Sequence, residues 1–276
     1  MRVAVIGAGP AGFEAARVAA ERGHRVRLVE KGPELGGQFR LAAGQPDRGE
    51  IGELLTWYQR QLEKMQVRIE LRRELTAADV EASDADVVVL ATGSLPSRSG
   101  FQRALPHVDR LPGVDAANVC TAHDVLEGTV TPGHGVLLLD DINGWWPASG
   151  TALHLALQRH QVTLLTAMDV ACGQLQTSQT AETTREKFVR LGVEVLTTSA
   201  LIAWQNGVAT IKSLITGDSE QRAFDTLVLA TTNERDDALS QALAASSKKT
   251  IAIGDTVQAR TAAMAIYEAR KAALTL

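Results

Sequence analysis

The stretch Val3-Ala4-Val5-Ile6-Gly7-Ala8-Gly9-Pro10-Ala11-Gly12-Phe13-Glu14 decides the fold. Four apolar residues read as a buried strand, six turn-forming residues follow, and helical spacing then runs from Phe13 to Glu21. Gly23 stops that helix, and Arg25 to Glu30 reads as a second strand. The whole is a βαβ unit of about 30 residues, the context in which Gly-x-Gly-x-x-Gly has physical meaning. Gly7 permits the tight turn, Gly9 lets the backbone approach a pyrophosphate, and Gly12 lets helix and strand pack closely. Pro10 and Ala11 lie between them at the helix start, whose amide N–H groups and partial positive charge favour phosphates. Glu30, at the end of the second strand, is placed to accept hydrogen bonds from an adenosine ribose, with Lys31 beside it. A carboxylate there disfavours a 2′-phosphate, so FAD, NAD or ADP fits better than NADP.

Outward from this unit the same grammar recurs. Gly49 to Met65 is an amphipathic helix, Val67 to Leu71 alternates as a strand, and Asp86 to Leu90 is an apolar strand of the doubly buried parallel kind. The last runs into Ala91-Thr92-Gly93. Pro96, Gly100, Pro106, Pro112, Gly113, Pro132 and Gly133 punctuate 94–134, which reads as a crossover between domains. A second βαβ follows: strand Gly135 to Asp140, helix near Pro147 to Arg159, strand Gln161 to Thr166. Helix Ala181 to Leu191 and strands at Val193–Leu196, Leu201–Trp204, Val208–Ile211 and Thr226–Ala230 extend it, with Asn206-Gly207 as a hairpin turn. Lys249 to Ile253 is a last strand, Gly254-Asp255 a turn, and Arg260 to Ala273 a closing helix. The expected fold is α/β with two Rossmann-like dinucleotide-binding domains, the second inserted in the first: 1–130 plus 228–276, and 131–227.

Composition narrows the function. The chain has 276 residues, 45% hydrophobic and 22% charged, with formal net charge −4. No like-charge run marks a nucleic-acid groove or a membrane-binding patch, and no apolar stretch reaches the length of a membrane span. The N-terminal apolar run is broken by Gly7, Gly9, Pro10 and Gly12, which suits a turn better than a signal peptide; a cytoplasmic location is expected. Cys120 and Cys172 form no Cys-x-x-Cys pair, which excludes a redox dithiol and an iron–sulfur ligand set. The six histidines show no metal-site spacing, and Ser149 lacks the frame of a nucleophile elbow. No acid, base or nucleophile for substrate chemistry stands out, and no metal ligand.

Three further stretches sharpen the reading: Glu34-Leu35-Gly36-Gly37-Gln38-Phe39-Arg40-Leu41-Ala42, Arg60-Gln61-Leu62-Glu63-Lys64, and Asp86 to Gly93. With Gly254-Asp255, Arg260 and Ala265-Ile266-Tyr267-Glu268, they resemble the C-terminal half of the 2,4-dienoyl-CoA reductase / trimethylamine dehydrogenase / histamine dehydrogenase family over nearly the whole chain. Ala259 stands where those relatives often have Pro. The resemblance implies FAD, or ADP held structurally, at Gly7, Gly9, Pro10, Ala11, Gly12, Glu30 and Lys31. Gln38, Thr92, Gly93 and Asp255 would lie nearer the flavin, and Gly37, Ala91 and Gly254 would also contact the cofactor. Members carry an N-terminal FMN-binding TIM barrel with a [4Fe–4S] cluster; here Met1 opens the first strand directly. The resemblance therefore implies a nucleotide-binding subunit paired with a separate FMN/TIM-barrel flavoenzyme subunit in a hetero-oligomer, acting on an N-methylated amine or a similar substrate. An autonomous NADH-dependent FAD oxidoreductase and a catalytically silent ADP-binding scaffold are the alternatives.

The second βαβ departs from a nicotinamide site. Its turn reads Asp140-Asp141-Ile142-Asn143-Gly144-Trp145-Trp146-Pro147, where two carboxylates repel a pyrophosphate and two indoles crowd it. NAD(H) is not expected there. Trp145-Trp146 is read as a packed loop, or else as a contact for a partner.

Overall fold

A computed structural model describes residues 1–141 and 144–276. The chain divides into two compact units: Met1–Ala43, Arg48–Leu95 and Asn233–Leu276 form the first, and Gly44–Asp47 with Pro96–Thr232 the second. The chain opens with β1 (Arg2–Ile6), α1 (Pro10–Glu21), β2 (Arg25–Val29), α2 (Gln38–Ala43), α3 (Gly49–Lys64), β3 (Arg68–Glu70), α4 (Ala77–Ala82), β4 (Val87–Leu90) and β5 (Ser94–Leu95). Then come β6 (Val119–Thr121), α5 (Ala122–Leu126), β7 (Gly135–Asp140), α6 (Trp146–Leu157), β8 (Gln161–Thr166), α7 (Ala181–Leu191) and β9 (Glu194–Leu196). They are followed by β10 (Ser199–Gln205), β11 (Val208–Ser213), β12 (Ser219–Ala223) and β13 (Thr226–Ala230). The chain ends with β14 (Glu234–Arg235), α8 (Ala238–Ala242), β15 (Lys249–Ala252) and α9 (Ala262–Leu274).

In the first unit a parallel sheet runs in the order β15-β4-β1-β2-β3. Val87 to Leu90 are all buried, as expected for a central parallel strand covered on both faces. Pro10 sits in the first turn of α1, where its missing N–H costs nothing and its fixed φ suits a helix start. Ala11, Gly12, Ala15, Ala16 and Ala19 bury the small face of α1, and α3 and α9 pack on that helix. Ala265, Ala269 and Ala273 supply the matching small face of α9.

The second unit repeats the plan with a parallel sheet β6-β13-β7-β8-β9 and adds the antiparallel β10-β11-β12. Asn206 (φ 49°) and Gly207 (φ 81°) make the β10–β11 turn with both residues left-handed, as a two-residue hairpin demands. Trp204 of β10 is fully buried, and its indole N–H donates to the Asn118 side-chain oxygen at 3.1 Å.

The chain passes between the compact units at 43/44, 47/48, 95/96 and 232/233, so 96–134 belongs with the second unit. The reason lies in β6, inside the stretch read as a crossover: Val119 to Thr121 pair in parallel with Leu227 to Leu229 of β13. That backbone ladder makes the 96–134 stretch part of the second sheet's structure.

Candidate functional site

The candidate site is assembled within the first unit, at the C-terminal ends of β1, β2 and β4. Gly7 has φ +100°, and a Cβ there would stand 2.2 Å from the Ala91 carbonyl oxygen. A Cβ on Gly12 would stand 1.8 Å from the Gly7 carbonyl oxygen. These two glycines are required by the protein's own backbone. Gly9 is different: its φ of −79° suits any residue, and a Cβ there would meet nothing within 4 Å. Its lack of a side chain leaves open space at the start of α1. Gly9 is the N-cap residue of that helix and makes no side-chain cap, so first-turn amides that a helix leaves unpaired face that space.

Glu30 follows β2. Its Oε2 accepts the Ala8 N–H at 2.8 Å and its Oε1 accepts the Gly32 N–H at 2.7 Å. Each carboxylate oxygen has two lone pairs, so acceptor capacity remains for a ribose. Lys31, half exposed, pairs with Asp236 at 3.1 Å. Gly37 has φ +49°, and a Cβ on it would lie 3.1 Å from Gly9 Cα. Next to it, the Gly36 N–H donates to the Ala8 carbonyl at 2.8 Å. The glycine turn and the Gly36-Gly37 turn are therefore stitched together.

A second cluster gathers the residues expected nearer a flavin. Gln38 Nε2 donates to the Ser94 carbonyl at 3.0 Å and to its Oγ at 2.9 Å. The Ser94 hydroxyl donates to Asp255 Oδ2 at 2.9 Å, and Asn233 Nδ2 donates to Gln38 Oε1 at 3.2 Å. Thr92 donates its hydroxyl to the Asp236 carbonyl, and the Gly93 N–H donates to Thr256 Oγ1 at 2.9 Å. Burial pushes the Asp255 carboxyl above the usual carboxylate range, and the Arg260 N–H offsets this only in part. Gly254, at φ +63°, lies so close to α1 that a Cβ would stand 3.0 Å from Ala11 Cβ. Its N–H donates to Glu268 Oε2 at 3.0 Å, and Glu268 also holds Arg260.

All fourteen residues named from the sequence thus belong to one unit, in two linked clusters. Ser94, Asn233, Asp236 and Thr256 join them unforeseen, and Glu268, marked in the sequence only as part of a resembling stretch, joins them too. Ser94 and Thr256 each directly follow a motif already singled out, which was a usable signal. Asn233 and Asp236 return from the far side of the second unit's sequence, where no local pattern marks them.

In the second unit the corresponding turn holds Asp140, Asp141 and Gly144; Ile142 and Asn143 lie outside the described residues. Trp145 and Trp146 are partly buried against the core beneath α6.

The fold is shared with known proteins. The model of the pyridine nucleotide-disulphide oxidoreductase family matches residues 1–269. The N,N-dimethylglycine/sarcosine dehydrogenase of Chromohalobacter salexigens is 35% identical over 248 residues, covering 88% of this chain and 35% of its own length. The structure of 6-hydroxypseudooxynicotine amine oxidase from Pseudomonas geniculata N1 superposes with a TM-score of 0.93 at 29% identity, covering 99% of this chain and 41% of its own. Histamine dehydrogenase from Rhizobium sp. 4-9 shares the fold, with a TM-score of 0.94 at 24% identity over 100% of this chain and 44% of its own. The chain spans about a third of the curated relative's length.

Proposed function

Because this chain belongs to the pyridine nucleotide-disulphide oxidoreductase family, we propose that its first unit holds the adenosine diphosphate part of FAD, or ADP itself, as the nucleotide-binding part of a flavin-dependent oxidoreductase. The observation that carries this is the contrast among the glycines. Gly7 and Gly12 are glycine for the protein's sake, whereas at Gly9 the protein itself leaves the space open at the helix start. Glu30, at the end of β2, supplies the ribose acceptor, and the first-turn amides of α1 face the phosphates. The residues present fit the adenosine diphosphate group.

A bound flavin supplies reversible one- and two-electron transfer. This chain's residues bind and orient. Asp255, Gln38 and Thr92 line the flavin-proximal end, and Ser94 and Asn233 fix the Gln38 amide. In this reading no side chain acts as acid, base or nucleophile on substrate. Substrate oxidation belongs to a separate FMN/TIM-barrel subunit in a hetero-oligomer, and this chain carries electrons onward or, with ADP, stabilises the assembly. Two relatives named for an N,N-dimethylglycine/sarcosine dehydrogenase and an amine oxidase support an N-methylated amine or similar substrate. The second unit takes no NAD(H).

The test is an absorption spectrum of the purified chain, with mass spectrometry of what denaturation releases. Flavin bands with released FAD identify an electron carrier, and a colourless chain releasing ADP identifies a scaffold. A chain that neither retains nor binds an adenine nucleotide overturns the reading. So does a Glu30→Arg variant with unchanged nucleotide content.

A further inference from the structure

The two units repeat one pattern, and the register of their sheets aligns them residue by residue. In the first, Ile6 of β1 pairs with Val29 of β2 and Leu90 of β4. In the second, Leu139 of β7 pairs with Leu165 of β8 and Leu229 of β13. The residues that follow therefore correspond: Gly7 with Asp140, Glu30 with Thr166, and Ala91-Thr92-Gly93 with Ala230-Thr231-Thr232.

In this register Gly7, Glu30 and Gly93 give way to Asp140, Thr166 and Thr232, while Ala91-Thr92 is kept as Ala230-Thr231. Asp140 carries a side chain where the first unit allows none. α6 begins only at Trp146, whereas α1 begins at Pro10, soon after Gly7. Side chains in the second unit are tied to one another instead. Thr166 and the Gly144 N–H lie beside the Asp140 carboxylate and work against the effect of its burial. Its Oδ1 nevertheless has no partner, and the residue is only 3% exposed. Asp141 accepts the Arg103 N–H at 2.9 Å, the Arg103 Nε–H at 3.0 Å and the Thr232 hydroxyl at 3.1 Å. Beside the first turn of α6, the buried Gln45 donates Nε2 to the Trp146 carbonyl at 3.3 Å. A Cβ on Gly150 would stand 2.5 Å from its Oε1. The glycine of this helix makes room for Gln45, as Gly12 makes room for the turn.

We propose that Asp140 and Gln45 are the residues that exclude nicotinamide dinucleotides from the second unit. Asp140 sets a poorly solvated negative charge at the end of β7, beside the helix start where a pyrophosphate would lie, and carries a side chain where the first unit's tight turn requires glycine; Gln45 fills the side of the helix start. Reducing equivalents then reach this chain from another redox protein rather than from NADH held in its second unit. The inference rests on the first unit being the one that holds the adenine nucleotide.

The experiment is calorimetric titration of NADH into the full chain with ADP saturating the first unit. The wild type is expected to show no binding tighter than about 1 mM. The double variant Asp140→Gly, Gln45→Ala is expected to bind at least about tenfold more tightly than the wild type. Saturable submillimolar binding of NADH by the wild type overturns the proposal, as does a folded double variant that binds no better. Should that variant fail to fold, Asp140→Asn keeps the side-chain volume and removes the charge; it is expected to improve NADH binding, and no improvement overturns the proposal equally. A titration of ADP alone separates the two readings. If ADP fails to bind, the assignment of the first unit falls, while the difference between wild type and variants still decides the second.

Discussion

At the scale of single residues, two glycines two positions apart make opposite predictions. Ala at position 7 would carry φ +100° and put its Cβ 2.2 Å from a backbone oxygen. A left-handed conformation costs roughly 1–2 kcal/mol and an unyielding clash roughly as much again. Gly7→Ala is therefore expected to lose about 3 kcal/mol in denaturant unfolding. Gly9→Ala meets no protein atom, so its unfolding free energy should stay within about 0.5 kcal/mol of wild type, while the nucleotide released on denaturation falls. A Gly9→Ala chain with full nucleotide content would mean that the space beside Gly9 is not where the phosphates sit. Asp140 adds a pH signature. Burial pushes its carboxyl up to about 6 from 3.8, so the folded state binds the extra proton between those values. Its contribution to stability is full below about pH 4, falls as pH rises to about 6, and is constant above. The loss is about 3 kcal/mol at most. Asp140→Asn is expected to flatten that part of the stability–pH curve. Asp255, also held up by burial, titrates alike in wild type and variant, so the difference isolates Asp140.

At the scale of elements, α1 is held to α3 and α9 by a buried polar knot as well as by small-residue packing. Arg17 grips Glu14 with two bonds of 2.9 Å, Tyr58 of α3 donates its hydroxyl at 3.2 Å, and Arg270 of α9 reaches the same carboxylate at 3.2 Å. Phe13 stacks on Tyr58 with ring centroids 5.2 Å apart. Burial pushes the Glu14 carboxyl up, but these partners together hold it below the usual range, so it is ionised and fully engaged. Removing one partner of such a pair strands the other. Glu14→Gln is expected to cost about 3 kcal/mol and Tyr58→Phe about 1 kcal/mol, both by chemical denaturation. If Glu14→Gln costs no more than Tyr58→Phe, the knot is not what fastens α1. None of it was visible in the sequence beyond a helical apolar face, because its members sit in three separated segments. What was legible follows the same logic. Central strands such as β4 and β13 read as unbroken apolar runs because parallel strands are covered on both faces. The motif glycines read because their reason is local backbone sterics. β12, Ser219–Ala223, is an exposed edge strand recruited through backbone bonds to β11, and no alternation marks it. The short α4 and α5 had a usable signal: Thr76 with Asp79 and Thr121 with Asp124 are capping boxes, with Asp in place of the usual Glu or Gln.

At the scale of the whole molecule, the chain holds two copies of one supersecondary plan with opposite fates. The sequence Leu-Ala-Thr ends both β4 and β13. In the first unit the Thr92 hydroxyl is bonded to the Asp236 carbonyl and faces Thr256; in the second the Thr231 hydroxyl is buried without a partner. The first unit's threonine is engaged by its neighbours, while in the second Asp141 is tied to Arg103 and Thr232 and the Thr231 hydroxyl is left over. The two fates predict an asymmetric response to one ligand. Binding to the native state alone stabilises it by mass action, about 2.7 kcal/mol at a hundredfold excess over Kd, and the protection is felt first by amides at the ligand. Hydrogen exchange with saturating ADP should therefore slow at 7–13, 30–38, 91–93 and 254–256 of the first unit. Amides at 144–151, around the start of α6, should exchange as they do without ligand. Protection confined to 144–151 would reverse the assignment and place the nucleotide in the unit whose glycine has become Asp140. Equal protection in both regions would show that the second unit binds adenine nucleotides too, and that a single carboxylate does not close it.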